Sequence, residues 1–124
     1  MPHPTAIKLR TQSKLFVISF DDGSSYELPF EYLRVHSPSA EVRGHGPGQE
    51  VLQLGKHNVM IKKIEPAGHY ALRLIFDDGH DTGLYTWEYL QELGSTHKEK
   101  WQAYMDRLKD LGIAYPTEVP VKPE

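Results

Sequence analysis

Phe20-Asp21-Asp22-Gly23 and Phe76-Asp77-Asp78-Gly79 are two copies of one phrase, and each is followed by the same pair, Tyr32-Leu33 and Tyr89-Leu90. Each copy closes an apolar run, Leu15-Phe16-Val17-Ile18-Ser19 and Tyr70-Ala71-Leu72-Arg73-Leu74-Ile75. Asp-Asp-Gly between such runs reads as a tight β-turn, because Gly takes φ > 0 without penalty and Asp bonds its own backbone. The phrase therefore predicts strand, turn, short strand and short helix, written twice.

Working outward, Ile7-Lys8-Leu9-Arg10 alternates like a half-buried strand. Residues 1–5 before it are expected to be loose. A strand follows over Lys14–Phe20, with its return at Ser25–Leu28. Pro29 suits the first position of a helix over Phe30–Val35. Residues 36–50 hold two Pro and three Gly and read as a long irregular loop, a feature that often carries function. Val51–Leu54 is expected as a short strand and Val59–Glu65 as a longer one, with Pro66-Ala67-Gly68 as a turn. The second copy then supplies strand Tyr70–Phe76, its return His80–Leu84, and a helix capped by Thr86 and stopped after Leu93 by Gly94. Thr96-His97-Lys98-Glu99 has the pattern of a capping box. It opens a last helix whose stripe of Trp101, Tyr104, Met105, Leu108 and Leu111 is expected to pack on the sheet, with Gly112 as its end. Residues 116–124 hold three Pro and read as a flexible tail. The fold class is α+β with a mainly antiparallel sheet, in one domain over residues 6–115.

Composition narrows the functions. The chain has 124 residues, 39% hydrophobic and 25% charged, which fits a single globular domain. The absence of Cys excludes disulfides, thiol nucleophiles and thiolate metal sites. No apolar run is long enough to span a bilayer and no signal pattern opens the chain, so the expected location is the cytoplasm. A net charge of −3 argues against broad nucleic-acid binding.

Several residue groups are candidates for chemistry. Asp21, Asp22, Asp77 and Asp78 could offer oxygens to a divalent cation, although turn chemistry already accounts for them. Seven His are many for this length, and His36, His45 and His80 lie in or beside irregular segments. Arg43-Gly44-His45-Gly46-Pro47-Gly48 could cradle an anion through its backbone, but it matches no phosphate-loop pattern. Ser37 and Ser39 lack a nucleophile-elbow context, so no catalytic residue is expected.

Ile7-Lys8-Leu9, both Phe-Asp-Asp-Gly phrases, the stretch from Tyr32 to Gln49, Ile64-Glu65-Pro66-Ala67-Gly68-His69-Tyr70 and His80-Asp81-Thr82-Gly83-Leu84-Tyr85-Thr86-Trp87 together resemble the DUF971 domain. That domain is similar to the N-terminal domain of gamma-butyrobetaine hydroxylase. The resemblance covers about residues 6–115. It implies a structural zinc held by closely spaced Cys and one His. By position those Cys fall near Ser37, Ser39 and Val42, and the His falls on His80. Three of four ligands are thus replaced, and no zinc or other cofactor is expected, with His36, His45 and His80 the only candidate donors. The oxygenase catalytic domain has no counterpart here, so the resemblance implies a fold and not a hydroxylase. Similar domains are fused to P-loop ATPases that carry iron–sulfur clusters. This implies an accessory role in iron–sulfur or metalloprotein maturation through an unknown protein partner, with no membrane or nucleic acid involved. Arg43, His45, His80 and Trp87 are the expected contact surface. A metal site at His80 with His36 or His45, or an anion site at Gly44–Gly48, are the alternatives.

Overall fold

The computed structural model describes residues 2–44, 46 and 48–115. Seven residues, Pro4–Arg10, form β1; Leu15–Phe20 and Ser25–Pro29 form β2 and β3. They pair antiparallel in the order β1-β2-β3, with Ile7 opposite Ile18 and Phe16 opposite Leu28. Helix α1 is Phe30–Val35 and a one-turn helix, α2, is Ala40–Arg43. Ile61–Ala67, Ala71–Phe76 and Leu84–Thr86 form β4, β5 and β6, a second antiparallel sheet in that order. Helix α3 is Trp87–Ser95 and α4 is His97–Asp110. The α+β class and the doubled hairpin–helix unit are as expected, with the strands divided between two three-stranded sheets. The tail from residue 116 lies outside the described residues.

Alternation decides which side chains are inside. Phe16, Ile18 and Phe20 of β2 and Leu72, Leu74 and Phe76 of β5 point into one core with Phe30, Tyr32, Leu33, Leu90 and Leu93 from the helices. A smaller cluster joins Tyr104 and Leu108 of α4 to Val35 and Leu52, and Trp101 connects it to the main core.

The two turns are built alike. Phe20 N–H donates to Ser24 O and Gly23 N–H to Phe20 O; Phe76 and Gly79 repeat both bonds with His80 O and Phe76 O. Gly23 and Gly79 sit at φ 90° and 92°, where a side chain would be strained. The first Asp of each pair clamps the preceding strand: Asp21 Oδ1 accepts from His3 N–H and Asp77 Oδ1 from Met60 N–H. The second caps the turn, Asp22 Oδ1 accepting from Ser24 N–H and Asp78 Oδ1 from His80 N–H. All four carboxylates are thereby committed to backbone, which is the turn reading of these residues.

The units then cross. Tyr32 Oη donates to Leu93 O at 2.7 Å, and Tyr89 Oη donates to His36 O at 2.6 Å. Each tyrosine ties its own helix to the end of the other unit's helix. The second carboxylate oxygens cross as well: Asp22 Oδ2 accepts from Gln91 of α3, and Asp78 Oδ2 accepts from Arg34 of α1.

Several boundaries differ from expectation for local reasons. Pro4 and Thr5 are already in β1, held by His3 on Asp21. Pro29 ends β3 and stands at the N-cap of α1 rather than inside it. Val51–Leu54 forms no ladder; one bond, from Val51 N–H to Val42 O, ties it to α2. Pro66 belongs to β4, opposite Leu72, and the turn comes after it at Gly68. His80–Gly83 is not a strand, because His80 and Thr82 are bonded to the loop at 37–41. Thr96 makes no capping box: its Oγ1 donates back to Glu92 O and closes α3. Leu111 leaves the apolar stripe and is 56% exposed.

Gly94 does not stop α3 by a left-handed turn; it lies within the helix. A Cβ there would overlap the ring of Tyr26 on β3. Gly94 is therefore the place where α3 approaches the first sheet. Gly94→Ala is expected to destabilise the fold by about 2 kcal/mol, as overpacking does. In combination with Tyr26→Ala the loss should be much less than additive, which a urea-denaturation double-mutant cycle measures. Tyr32→Phe and Tyr89→Phe should each cost about 1–2 kcal/mol in the same assay, since each strands a helix-terminal carbonyl.

Candidate functional site

The segment after α1 is folded rather than free. Ser39 caps α2, its Oγ accepting from Glu41 N–H at 3.1 Å. Gly44 ends it at φ 74°, and a Cβ there would run into the carbonyl of Gln49. Val51 N–H on Val42 O closes the loop behind it.

A hydrogen-bonded chain, buried at Ser37 and His80, pins this segment to the second turn. His80 is 5% exposed and Ser37 1%. His80 Nε2 lies 2.8 Å from Ser37 Oγ, and Nδ1 lies 3.0 Å from Glu41 Oε1. Ser37 Oγ also accepts from Ser39 N–H, and Ser39 Oγ is 2.7 Å from Thr82 Oγ1. One proton arrangement satisfies every atom: Ser37 O–H donates to Nε2, and Nδ1–H donates to the Glu41 carboxylate. Burial pushes the His80 imidazole below its usual range, and the nearby Arg34 adds to this; Glu41 and Asp78 oppose it. Gly83 is required beside the chain, because a Cβ there would lie 2.5 Å from Ser37 Oγ.

Arg34 supports the chain from below. It is 6% exposed, with Nε 2.9 Å from Asp78 Oδ2 and Nη1 3.0 Å from Gln53 Oε1. Lys56 adds a second cation 2.6 Å from the same Asp78 oxygen. Burial alone would raise the Asp78 carboxyl, but hydrogen bonds from Lys56 and the His80 backbone, with Arg34, outweigh it and bring it down to about 2.

Above α2 lies an open groove of about 930 Å³ between the loop and α4. Val35, Val42, Leu52 and Tyr104 contribute apolar walls, while Arg43, Lys100 and Arg107 contribute positive charge. Arg43 lies over the Tyr89 ring, 4.9 Å from its centroid.

The expected site residues separate in space. Arg43 lines the groove. His80 is not among the residues that line the groove; it is buried in the hydrogen-bonded chain and offers no contact surface. His36 also lines the groove, but its Nδ1–H donates to Tyr32 O. Trp87 is outside the groove, with Nε1–H donating to His69 O. His45 lies outside the described residues, as does Pro47 of the Gly-rich loop. Ser37, Glu41 and Arg34 were not legible as one site, since their meeting depends on the second turn folding back onto the loop. Thr82 and Gly83, two and three residues after His80, were the available signal.

Two antiparallel sheets, crossed hairpin–helix units and a pinned loop define a small α+β domain with a groove on one side. The gamma-butyrobetaine hydroxylase-like, N-terminal family matches residues 7–91, and the chain belongs to that family. An NMR solution structure of a protein 48% identical, aligned over 98% of both chains, superposes with a TM-score of 0.79. A second NMR structure, 43% identical over 99% of this chain and 95% of that one, gives 0.79 as well. The crystal structure of a DUF971-family protein of unknown function from Acidithiobacillus ferrooxidans ATCC 23270 is 37% identical. It covers 74% of this chain and 92% of its own, with a TM-score of 0.63. No curated protein matches the chain.

The positions that the family resemblance associates with zinc do meet in space. Ser37 and Ser39 stand beside His80 and Thr82, with buried Val42 nearby in α2. Their chemistry does not fit the ion, which wants thiolates and imidazoles. Both nitrogens of His80 are engaged, and among the described residues no three His, Cys, Asp or Glu side chains are grouped to hold a metal.

Acid should loosen this site. Burial lowers His36, His80 and His97 below their usual range, so the folded state resists protons that the unfolded chain accepts. The stability they contribute is complete above about pH 6.5 and is lost as pH falls toward their folded values. Calorimetry is expected to show the melting temperature falling below pH 6.5, with a shallower slope in His80→Asn.

Proposed function

We propose that this is a non-catalytic interaction domain that receives a protein partner in the groove between the 40–53 segment and α4. The carrying observation is that buried His80 holds Ser37 before α2 and Glu41 within it, and so keeps one wall of an otherwise open groove fixed. A wall ordered before binding reduces the entropy lost on association.

The Ser37–His80–Glu41 chain has the order of a nucleophile, base and acid, yet we read it as scaffold. Ser37 touches the groove but is 1% exposed as a residue, and its Oγ lies beside Gly83 and already accepts from Ser39 N–H, which leaves a substrate carbonyl little room. We read the same chain as standing in for a metal: it joins the loop to the second turn where a zinc ion would otherwise do so. The partner, on this reading, belongs to iron–sulfur or metalloprotein maturation; the support is the resemblance to domains fused to cluster-carrying ATPases.

Ala103 is exposed on α4 and lines the groove. Ala103→Trp should fill the groove with little change in melting temperature, as surface substitutions do. Quantitative affinity capture with wild type and variant is expected to lose the partner in the variant. An unchanged partner set would remove the reading.

A further inference from the structure

The whole chain carries a net charge of −3, yet the groove reverses that sign. Arg43, Lys100 and Arg107 line it, against a single carboxylate among the described residues, Glu50. Among the described residues neither arginine has a carboxylate within ion-pair distance, while seven of the other cations and histidines do. Lys100 has only a 3.5 Å contact to the half-exposed Glu92, a pair that water and salt readily exchange. Arg43 is held over Tyr89, whose hydroxyl is fixed on His36 O, so its guanidinium is positioned before anything binds.

Between these charges apolar side chains stand beside the polar His36, Ser37 and Gln53. Val35, Val42, Leu52 and Tyr104 line the groove, and Val51 at its edge is 53% exposed. We propose that the groove takes an acidic segment of a partner protein, in which carboxylates flank a leucine-sized side chain. Arg43 and Arg107 grip the carboxylates and the apolar walls receive the side chain. This rests on the interaction reading above and names the chemistry of the partner. Planar guanidinium forks suit carboxylates, which they bind through paired hydrogen bonds. The reversed local charge also steers an acidic segment toward this face of an otherwise acidic protein. A nucleic-acid strand fits less well, since it wants a continuous basic track with free stacking platforms, whereas the Tyr89 ring is already covered by Arg43.

The test is fluorescence anisotropy with a labelled peptide of alternating glutamate and leucine. A lysine–leucine peptide and an oligouridine strand of the same length serve as competitors for the assignment. Expected are binding of the glutamate peptide that weakens with salt, and amide shifts at Val42, Val51 and Tyr104. Arg43→Glu and Arg107→Glu should each reduce affinity by about tenfold, the size of one lost charge-assisted contact, with melting temperatures unchanged. Equal or tighter binding of the lysine peptide or the oligouridine overturns the proposal. So does failure of the glutamate peptide to bind, or indifference to both charge reversals. If the peptide fails while Ala103→Trp still abolishes partner capture, the groove is a contact site for different chemistry. If neither responds, the interaction reading falls too.

Discussion

Everything in this domain depends on two crossed tyrosines. Tyr32 and Tyr89 occupy equivalent places in the two copies of the repeat, and each hydroxyl leaves its own unit to bond a carbonyl near the end of the other's helix. A unit as small as Pro4–Val35 falls below the roughly 40 residues at which a chain usually buries enough apolar surface to be stable alone. Crossing lays α3 against β3 of the first sheet and ties α1 to the second unit through Tyr85 Oη on Leu33 O and Arg34 on Asp78. The bonds are short and Tyr32 is fully buried, so they fix the relative position of the units as well as add to stability. Gly94 is the steric counterpart: it lets α3 come close enough to β3 for the Tyr26 ring to sit against the helix backbone.

The sequence made the repeat visible because turns and alternation are local. The two Asp-Asp-Gly copies make the same hydrogen bonds, down to which Asp clamps and which caps. What stayed hidden was long-range. Glu41 meets His80 and Arg34 meets Asp78 only after the units cross, and no spacing along the chain encodes that. Thr96 shows the converse error. Its neighbourhood spells a capping box, but α3 ends one residue before α4 begins, and the closing carbonyl of Glu92 takes the hydroxyl first. Local signals fail where two elements compete for one side chain.

The loop is pinned to the second turn by hydroxyls, one imidazole and one carboxylate. A metal joins segments strongly but needs thiolates or imidazoles in a closed shell. Hydroxyls and one imidazole make weaker links, of about 1 kcal/mol each, so several are needed and all must be satisfied. Ser37, Ser39, Thr82, Glu41 and His80 meet that condition: among the described residues no buried side-chain polar atom lacks a partner.

The two units are alike in scaffold and unlike in what they carry beyond it. Asp22 reaches a neutral amide, Gln91, whereas Asp78 reaches two cations, Arg34 and Lys56. The long insertion follows only the first helix, and it comes to rest against the second turn because His80 stands where the first copy has Ser24. Serine at that place bonds back to its own turn; histidine is long enough to reach out of it. One residue's extra length thus converts a self-contained turn into an anchor for the insertion. The anchored insertion, with α4 opposite, then makes a basic groove on one side of a molecule whose pseudo-symmetry would otherwise have left both sides alike.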